Sequence, residues 1–168
     1  MEKIIKELSK EAKRLNCCRE GFEGLLSACD ITDLCHLYIR HIDFCFEHDF
    51  PSKDYIKATF GKEASKRGIY VDEKIDVCNQ GHCIALGSTN GSVRTTDYGV
   101  SEIHARHDSN LEVIAKGNAF VMVDVYDNAV VGVCAYDRAK VCVNKHGGKV
   151  TYSATDDAAV KFRDKSNK

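Results

Sequence analysis

The sequence predicts an α+β protein: an N-terminal helical head followed by a short, single-stranded, right-handed parallel β-helix, that is, a β-solenoid built from ten-residue repeats. Three observations lead to this fold. A ten-residue unit is repeated three times between positions 119 and 148. Turn-forming residues close each unit, and helical spacing of apolar residues is confined to the part before position 72. A fixed internal period is the signature of a repeat architecture.

The three units span residues 119–128, 129–138 and 139–148. Their alternate positions carry small or β-branched apolar side chains, which is typical of strands with one buried face. These residues are Ala119, Val121, Val123, Val125, Ala129, Val131, Val133, Ala135, Ala139, Val141 and Val143. The units end at Asp127-Asn128, Asp137-Arg138 and Gly147-Gly148, and such pairs favour turns.

Two architectures fit a repeat of this length: an antiparallel meander with two-residue hairpins, or a parallel solenoid. In a two-residue hairpin Val125 would share a face with Val130 and Cys134, which scrambles the apolar face. In a solenoid, equivalent positions of successive ten-residue units all face inward, because ten is an even number and side chains alternate with a period of two. The parity of the repeat therefore favours the solenoid.

The alternation extends beyond the three units. Upstream, the same phase continues through Ser109, Leu111, Val113 and Ala115; downstream of Gly148 it slips by one residue, giving Val150, Tyr152, Ala154, Val160 and Phe162. If two units close one coil, residues 79–164 make about four coils. An arrangement with three units per coil stays open at this point.

The chain before the repeats predicts four helices. The first covers Glu2 to Asn16 and the second about Glu20 to Asp30, both with apolar residues on one face. A third begins after Asp30 or Thr32 and continues to about Asp49. Phe50-Pro51 ends it, because the residue before proline is pushed out of helical geometry. Ser52 then caps a fourth helix.

This organisation predicts three parts: a helical head at residues 1–72, a solenoid domain at 73–164 and a polar tail at 165–168. The 168 residues carry 24 basic and 25 acidic side chains, a net charge of −1. The chain therefore has no excess of positive charge that would attract nucleic acid or an anionic membrane. The N-terminus lacks the apolar run of a signal peptide, and no segment approaches the ~20 apolar residues of a membrane span. We therefore expect a cytoplasmic protein that binds neither nucleic acid nor membrane.

The nine cysteines are odd in number and irregularly spaced. They make a poor disulfide framework, so reduced thiols are expected. This agrees with the cytoplasmic prediction.

The stretch from His41 to Lys57, together with the Ala/Val-rich solenoid, resembles uncharacterised short proteins of gut bacteria and their mobile elements. These proteins have a helical head and a repeat-rich tail. The resemblance implies the same two-part architecture and, as a function, an accessory protein that binds a host factor. It brings no catalytic residues to this sequence.

The metal candidates are His41, Cys45 and His48, which a continuous helix would place on one face. A second cluster, Cys78, His82 and Cys83, lacks the spacing of a redox or zinc motif, and Cys83 keeps the inward phase. A thiol or zinc sensor in the head is thus one alternative function. Packing explains these residues better, so we expect neither a metal site nor a cofactor.

The catalytic candidates are His104 and His107, at the most polar corner of the repeats. They define a second alternative, a small transferase-like enzyme with its site at that corner or between subunits. The absence of a diagnostic catalytic motif makes a non-enzymatic protein the leading interpretation.

Tyr126 with Tyr136, and Asp127 with Asp137, are the predicted binding residues. They recur at the repeat period and are expected to form exposed ladders on one edge of the solenoid. Aromatic residues are favoured at interfaces. The leading prediction is therefore a binding or assembly module that presents a regular solenoid surface. Because the first and last coils leave strand edges that must be covered or paired, we expect a homo-oligomer, with a protein partner as a further expectation.

Overall fold

The computed structural model describes residues 1–166, so Asn167 and Lys168 of the predicted polar tail lie outside the described residues. The chain forms two compact units, Met1–Arg67 and the part from Gly68 onward. The division lies before the predicted boundary near residue 72, because the first strand already begins at Ile69.

The first unit is helical, as predicted. Its helices are α1 (Glu2–Arg14), α2 (Arg19–Ser27), α3 (Ile31–Arg40), α4 (Ile42–His48), α5 (Lys53–Tyr55), which continues into a π-helical turn at Ile56–Phe60, and α6 (Lys62–Lys66). The predicted caps form: Asp30 accepts a hydrogen bond from the backbone N–H of Asp33, and Ser52 accepts one from Tyr55. The head core contains Leu8, Ala12, Leu25, Leu34, Cys35, Tyr38, Cys45, Phe46, Ile56, Phe60 and Ala64.

The prediction of one continuous third helix was wrong. The helix is interrupted at His41, whose backbone leaves helical geometry (φ −113°, ψ 35°). α3 ends there and α4 begins at the next residue. Tyr38 before this break and Cys45 after it are both buried in the head.

The second unit is the predicted solenoid. Its strands are β1 (Ile69–Val71), β2 (Lys74–Cys78), β3 (His82–Leu86), β4 (Asn90–Thr95), β5 (Val100–Ala105), β6 (Asn110–Ala115), β7 (Phe120–Val125), β8 (Val130–Ala135), β9 (Lys140–Lys145), β10 (Lys149–Ala154) and β11 (Ala159–Asp164). The odd-numbered strands form one parallel sheet, here sheet A, and the even-numbered strands form another, sheet B. Successive strands alternate between the sheets, so each coil crosses sheet A and returns through sheet B.

The strand register fixes the size of a coil. Val100 on β5 pairs with Phe120 on β7, and Asn110 on β6 pairs with Val130 on β8. Each pair is two ten-residue units apart, so two units close one coil. The alternative with three units per coil is wrong, and the all-parallel pairing excludes the meander.

The inward positions predicted from the repeat form the solenoid core. Val121, Val123 and Val125 are fully buried, and Val131, Val133, Val141 and Val143 are at most 2% exposed. Ser109, Leu111 and Val113 continue the buried phase upstream. The first coil is shorter than the others, because Ile69 pairs with Ile84 and Lys74 with Asn90. After it the step between coils stays constant until the final coil: Asn110 pairs with Val130, but Val130 pairs with Lys149 rather than the residue after it. This confirms the one-residue slip, which falls in the turn 146–148.

Each turn that connects the sheets carries one left-handed residue. In the turns from sheet A to sheet B (AB turns) these are Asp72, Gly87, His107, Asp127 and Gly148, and in the turns from sheet B to sheet A (BA turns) they are Asn79, Asp97, Gly117, Asp137 and Asp156. Asp, Asn and Gly tolerate this conformation, which explains why they end each repeat.

Candidate functional site

The residues predicted to bind a partner occupy two separate columns of turns. Tyr126 and Asp127 lie in an AB turn, whereas Tyr136 and Asp137 lie in the following BA turn. With two units per coil, residues ten positions apart are in different columns, and residues about twenty apart stack. The expected single ladder of Tyr126 over Tyr136, and of Asp127 over Asp137, is therefore wrong.

The two aspartates have structural roles in the turns. Asp137 Oδ2 accepts a hydrogen bond from the backbone N–H of Gly117 at 2.8 Å, and Asp127 Oδ2 accepts one from His107 at 3.2 Å. Asp137 in turn donates its own backbone N–H to Asp156 Oδ2 at 3.3 Å. Each carboxylate thus satisfies a backbone donor of an adjacent coil, because a left-handed turn residue directs its side chain along the stack.

His107 belongs to the same system of turns. Its backbone φ is 62°, and its Nδ1 accepts a hydrogen bond from the backbone N–H of Gly87 at 3.1 Å. It therefore occupies the position that Asp127 holds one coil later. This contact explains the residue as a turn-stabilising group.

His104 lies on the outer face of sheet A and is buried. Its Nε2 is 3.4 Å from Glu102 Oε1, and His82 Nδ1 is 3.4 Å from the other oxygen of the same carboxylate. The hydrogen bond with His104, with further help from His82, holds the pKa of Glu102 below its usual value. His104 and His107 thus make separate contacts, one on a sheet face and one in a turn.

The same face carries an acid–histidine pair that sequence reasoning missed. His146 Nε2 lies 3.0 Å from Asp124 Oδ1, and the His146 ring stacks on Tyr126 with centroids 4.5 Å apart and planes at 9°. Asp124 pairs in register with His104 on one side and Asn144 on the other. The signal was the twenty-residue recurrence of polar residues at 104, 124 and 144, which becomes visible only once the coil size is known.

Tyr136 lies on the other edge of the solenoid. The Lys116 Nζ atom is 5.1 Å from the centre of its ring, a cation–π distance. The neighbouring Cys134 thiol, followed by desolvation and Glu112, raises the pKa of Tyr136. The side chain is thus placed beside the outer face of sheet B, far along the coil from Tyr126.

The metal candidates of the head do not converge. Cys45 is buried, and burial raises its pKa to about 12, so its thiolate is disfavoured. The His48 ring packs against Phe44 at 4.6 Å, while His41 lies at the break between α3 and α4. Among residues 1–166, no three His, Cys, Asp or Glu side chains are placed to hold one metal ion. Cys83 of the second cluster is buried in the solenoid core, and burial likewise raises its pKa to about 12.

The final coil, formed by β10 and β11, differs from all the others. Its inward residues Val150, Val160 and Phe162 are only partly buried, and Tyr152 is 51% exposed. The residues directly beneath them, such as Val133 under Tyr152, are almost fully buried. Within residues 1–166, no further strand pairs with β10 or β11 on their outer edges. The core of the solenoid is therefore open at this end.

The backbone of the final coil also has unused hydrogen-bonding positions. Lys149 and Thr155 donate their N–H groups to β8, at 2.9 and 3.0 Å. Because donors alternate along a parallel strand, the N–H groups of Val150, Tyr152 and Ala154 point away from β8. In β11, Ala159 and Lys165 donate their N–H groups to the previous coil. The even-numbered N–H groups of β11 therefore point away from that coil.

One corner of this open end is closed by a polar cluster. Lys145 holds an inward position at the end of β9, and its Nζ lies 3.1 Å from Asp164 Oδ2 and 3.3 Å from Ser166 Oγ. Ser166, followed by Lys145, lowers the pKa of Asp164 to about 2. This carboxylate therefore stays ionised and paired at neutral pH. The cluster covers the corner but leaves the strand edges accessible.

Comparisons of the chain with protein-family models, with curated proteins and with solved structures found no match. Within residues 1–166, no helix is both long enough and apolar enough to cross a bilayer. The function is therefore inferred from the structure of the chain itself.

Proposed function

We propose that this protein is an assembly module whose solenoid forms a homodimer through its final coil. The supporting observation is the exposure of inward residues in β10 and β11, since their partners one coil earlier, Val131, Val133, Val141 and Val143, are buried. An exposed strand edge above an exposed apolar core is a site for pairing with another chain.

The geometry of the final coil determines which kind of partner can pair with it. It presents two strand edges that run in opposite directions, separated by the thickness of the core, about 10 Å. A partner must offer two edges with the same separation. A second copy does so after a two-fold rotation about an axis that is perpendicular to the solenoid axis and runs either along the strands or at right angles to them. That rotation sets each edge against an oppositely directed strand, so both new pairs are antiparallel.

Dimerisation would bury two kinds of group at once. The outward N–H and C=O groups of β10 and β11 would gain partners, and the exposed faces of Tyr152 and Phe162 would leave water. Full burial of one such large side chain is worth about 1.5–3 kcal/mol. These gains oppose the entropic cost of association. The polar cluster at Lys145 lies at one corner and leaves the strand edges free to pair.

The test measures mass by sedimentation equilibrium and light scattering. We expect the wild-type protein to have about twice its monomer mass of 18.7 kDa. In Ala154→Pro, the ring removes an N–H that faces outward and obstructs the edge without breaking a bond to β8. Val160→Pro does the same on β11. Both variants are expected to be monomers with a circular dichroism spectrum like that of the wild type.

Ser153→Ala is the matched control, because Ser153 lies on the outward face of the same strand and keeps its backbone N–H. It should remain a dimer. A wild-type protein that is monomeric at 100 µM would exclude the proposal. A dimer that persists unchanged in both folded proline variants would assign the interface to another surface.

A further inference from the structure

The helical head contains a partly enclosed pocket, here the head pocket, that is lined by α1, α2, α3, α4 and the π-helical turn. Each of these elements contributes a large apolar side chain, among them Leu8, Leu25, Leu34, Phe44 and Phe60. The pocket holds about 450 Å³ of free space including its mouth, and the centre of a water-sized group can occupy about 50 Å³ of it. One water needs roughly 10–15 Å³ by the same measure, so the pocket has room for several such groups.

The lining of the head pocket is almost entirely apolar. Among its described residues, only Tyr38 and His41 carry a side-chain nitrogen or oxygen atom, and none is an aspartate, glutamate, lysine or arginine. A charged ligand would lose its hydration here without gaining equivalent contacts, which is costly. Pockets of this composition take largely apolar molecules that a few polar groups orient. The lining therefore selects an uncharged ligand with an apolar body.

One polar atom of this lining is left without a partner. His41 Nε2 is buried, and within residues 1–166 it makes no hydrogen bond. The imidazole ring lies against α2, because a Cβ atom built on Gly21 would be 3.7 Å from His41 Cε1. A buried polar atom that lacks a partner is destabilising. A ligand that brings one hydrogen-bonding group into the pocket would satisfy it.

Two irregular stretches of backbone contribute to the head pocket. His41 lies at the break between α3 and α4, with φ −113° and ψ 35°. Phe60 is the last residue of the π-helical turn and forms another part of the wall. π-Helical turns are rare and are frequently found at functional sites. Both departures from regular helix in the head therefore coincide with the pocket.

The nitrogen without a partner favours a hydroxyl group over other polar groups. A neutral imidazole nitrogen donates or accepts a hydrogen bond according to its tautomer. A hydroxyl group does both, so it pairs with either form, whereas a carbonyl oxygen only accepts. A carboxylate would introduce a charge into the apolar lining. The ligand class that fits is thus a small apolar molecule with one hydroxyl group.

We propose that the head pocket binds a small, uncharged, apolar alcohol or phenol, whose hydroxyl group makes a hydrogen bond with His41 Nε2. The apolar body of the ligand lies among the leucine and phenylalanine side chains of the wall. Every lining residue that the structure describes belongs to the first compact unit, Met1–Arg67. The site therefore does not depend on the proposed dimer of the final coil.

The test is an NMR titration that follows the backbone amide signals of the full chain. Phenol and toluene are the matched ligands, because they differ only in a hydroxyl against a methyl group, and benzoate is the charged comparison. We expect phenol to shift amide signals of the head and benzoate to leave them in place. His41→Leu removes the ring nitrogen but keeps an apolar side chain. The ratio of the phenol to the toluene dissociation constant should then rise about fivefold or more, the value of one net hydrogen bond.

Ala12→Leu tests the location of the site. Ala12 is buried in the lining, so the larger side chain should fill the pocket and abolish binding of both ligands. Ala58→Leu is the matched control, because Ala58 is exposed and outside the lining, and it should bind as the wild type does. No shift of head signals with phenol, an unchanged ratio in folded His41→Leu, or equal binding by folded Ala12→Leu would overturn the proposal. Tighter binding of benzoate than of phenol would overturn it as well. If Ala12→Leu does not fold, the ratio in His41→Leu decides.

Discussion

The aromatic rings of Tyr152 and Phe162 stack across the final coil, with centroids 5.6 Å apart and planes at 24°. They project inward from opposite sheets and lie over Val133 and Val143, their partners in register. The preceding coils hold valine, isoleucine or cysteine at these positions. The aromatic pair thus shields the last buried layer and, in the proposed dimer, forms the centre of the interface.

Removal of one ring of this pair should destabilise the fold. We expect Phe162→Ala to lower the free energy of unfolding by about 1–3 kcal/mol, less than the loss for a fully buried phenylalanine because Phe162 is only partly buried. Urea denaturation at low protein concentration measures this loss separately from dimerisation. Tyr98→Ala is the control: Tyr98 is 81% exposed, so its loss should change the free energy by no more than ~0.5 kcal/mol. Equal effects of the two changes would contradict a shielding role for the pair.

In the BA turns, Asp137 and Asp156 each accept a backbone N–H from the preceding coil, and we call this row the carboxylate ladder. It predicts a graded loss of stability for substitutions at position 137. Asp137→Ala loses the acceptor for the Gly117 N–H and places alanine at φ 61°, so we expect a loss of about 1–3 kcal/mol. Asp137→Asn keeps both the acceptor and the tolerance of this φ, and should cost the least. Asp137→Gly relieves the backbone but loses the acceptor, and should be intermediate.

Thermal and urea unfolding of the three variants give this order directly. Asp157→Ala serves as the control, because Asp157 lies in a turn of the same column but not at a left-handed position. If alanine and asparagine at position 137 were equally stable, the ladder would have no energetic role.

Glu102 predicts a pH dependence of stability. Its pKa is lowered in the folded protein, mainly by the hydrogen bond with His104. A carboxyl group with a depressed pKa stabilises the fold above its unfolded pKa, near the usual 4.5, and this contribution is lost as the pH falls through the folded value. The wild type should therefore lose stability relative to Glu102→Gln as the pH falls below about 4.5. Parallel loss by both proteins between pH 6 and pH 3 would show that Glu102 has no such role.

Six of the nine cysteines should fall into two classes of reactivity. Burial raises the pKa of Cys35 to about 11 and the pKa values of Cys45 and Cys83 to about 12. Since the thiolate is the reactive form, these three should resist an aromatic disulfide reagent at pH 8 until the protein is denatured. The exposed thiols Cys18, Cys29 and Cys78 should react at once. Peptide mapping by mass spectrometry identifies each site, and rapid labelling of Cys83 in the folded protein would contradict the buried core.

The sequence alone determined the local features of this protein. The alternation of apolar residues predicted the strands and their inward faces, since a strand has a side-chain period of two. The even repeat predicted parallel coils, and the Asp, Asn and Gly residues predicted the turns. Even the one-residue slip after Gly148 was visible, because it shifts the apolar phase.

Tertiary structure decided which distant residues meet. The circumference of a coil is set by how two sheets pack over one core, and no local pattern contains that distance. Once two units close a coil, Tyr126 stacks on His146 and lies in a different column from Tyr136. The break at His41 is also tertiary, because its neighbours favour a helix on both sides. Local sequence preferences therefore determined the helices, strands and turns. The packing of two sheets over one core determined which distant residues lie side by side, and the candidate sites are made of such residues.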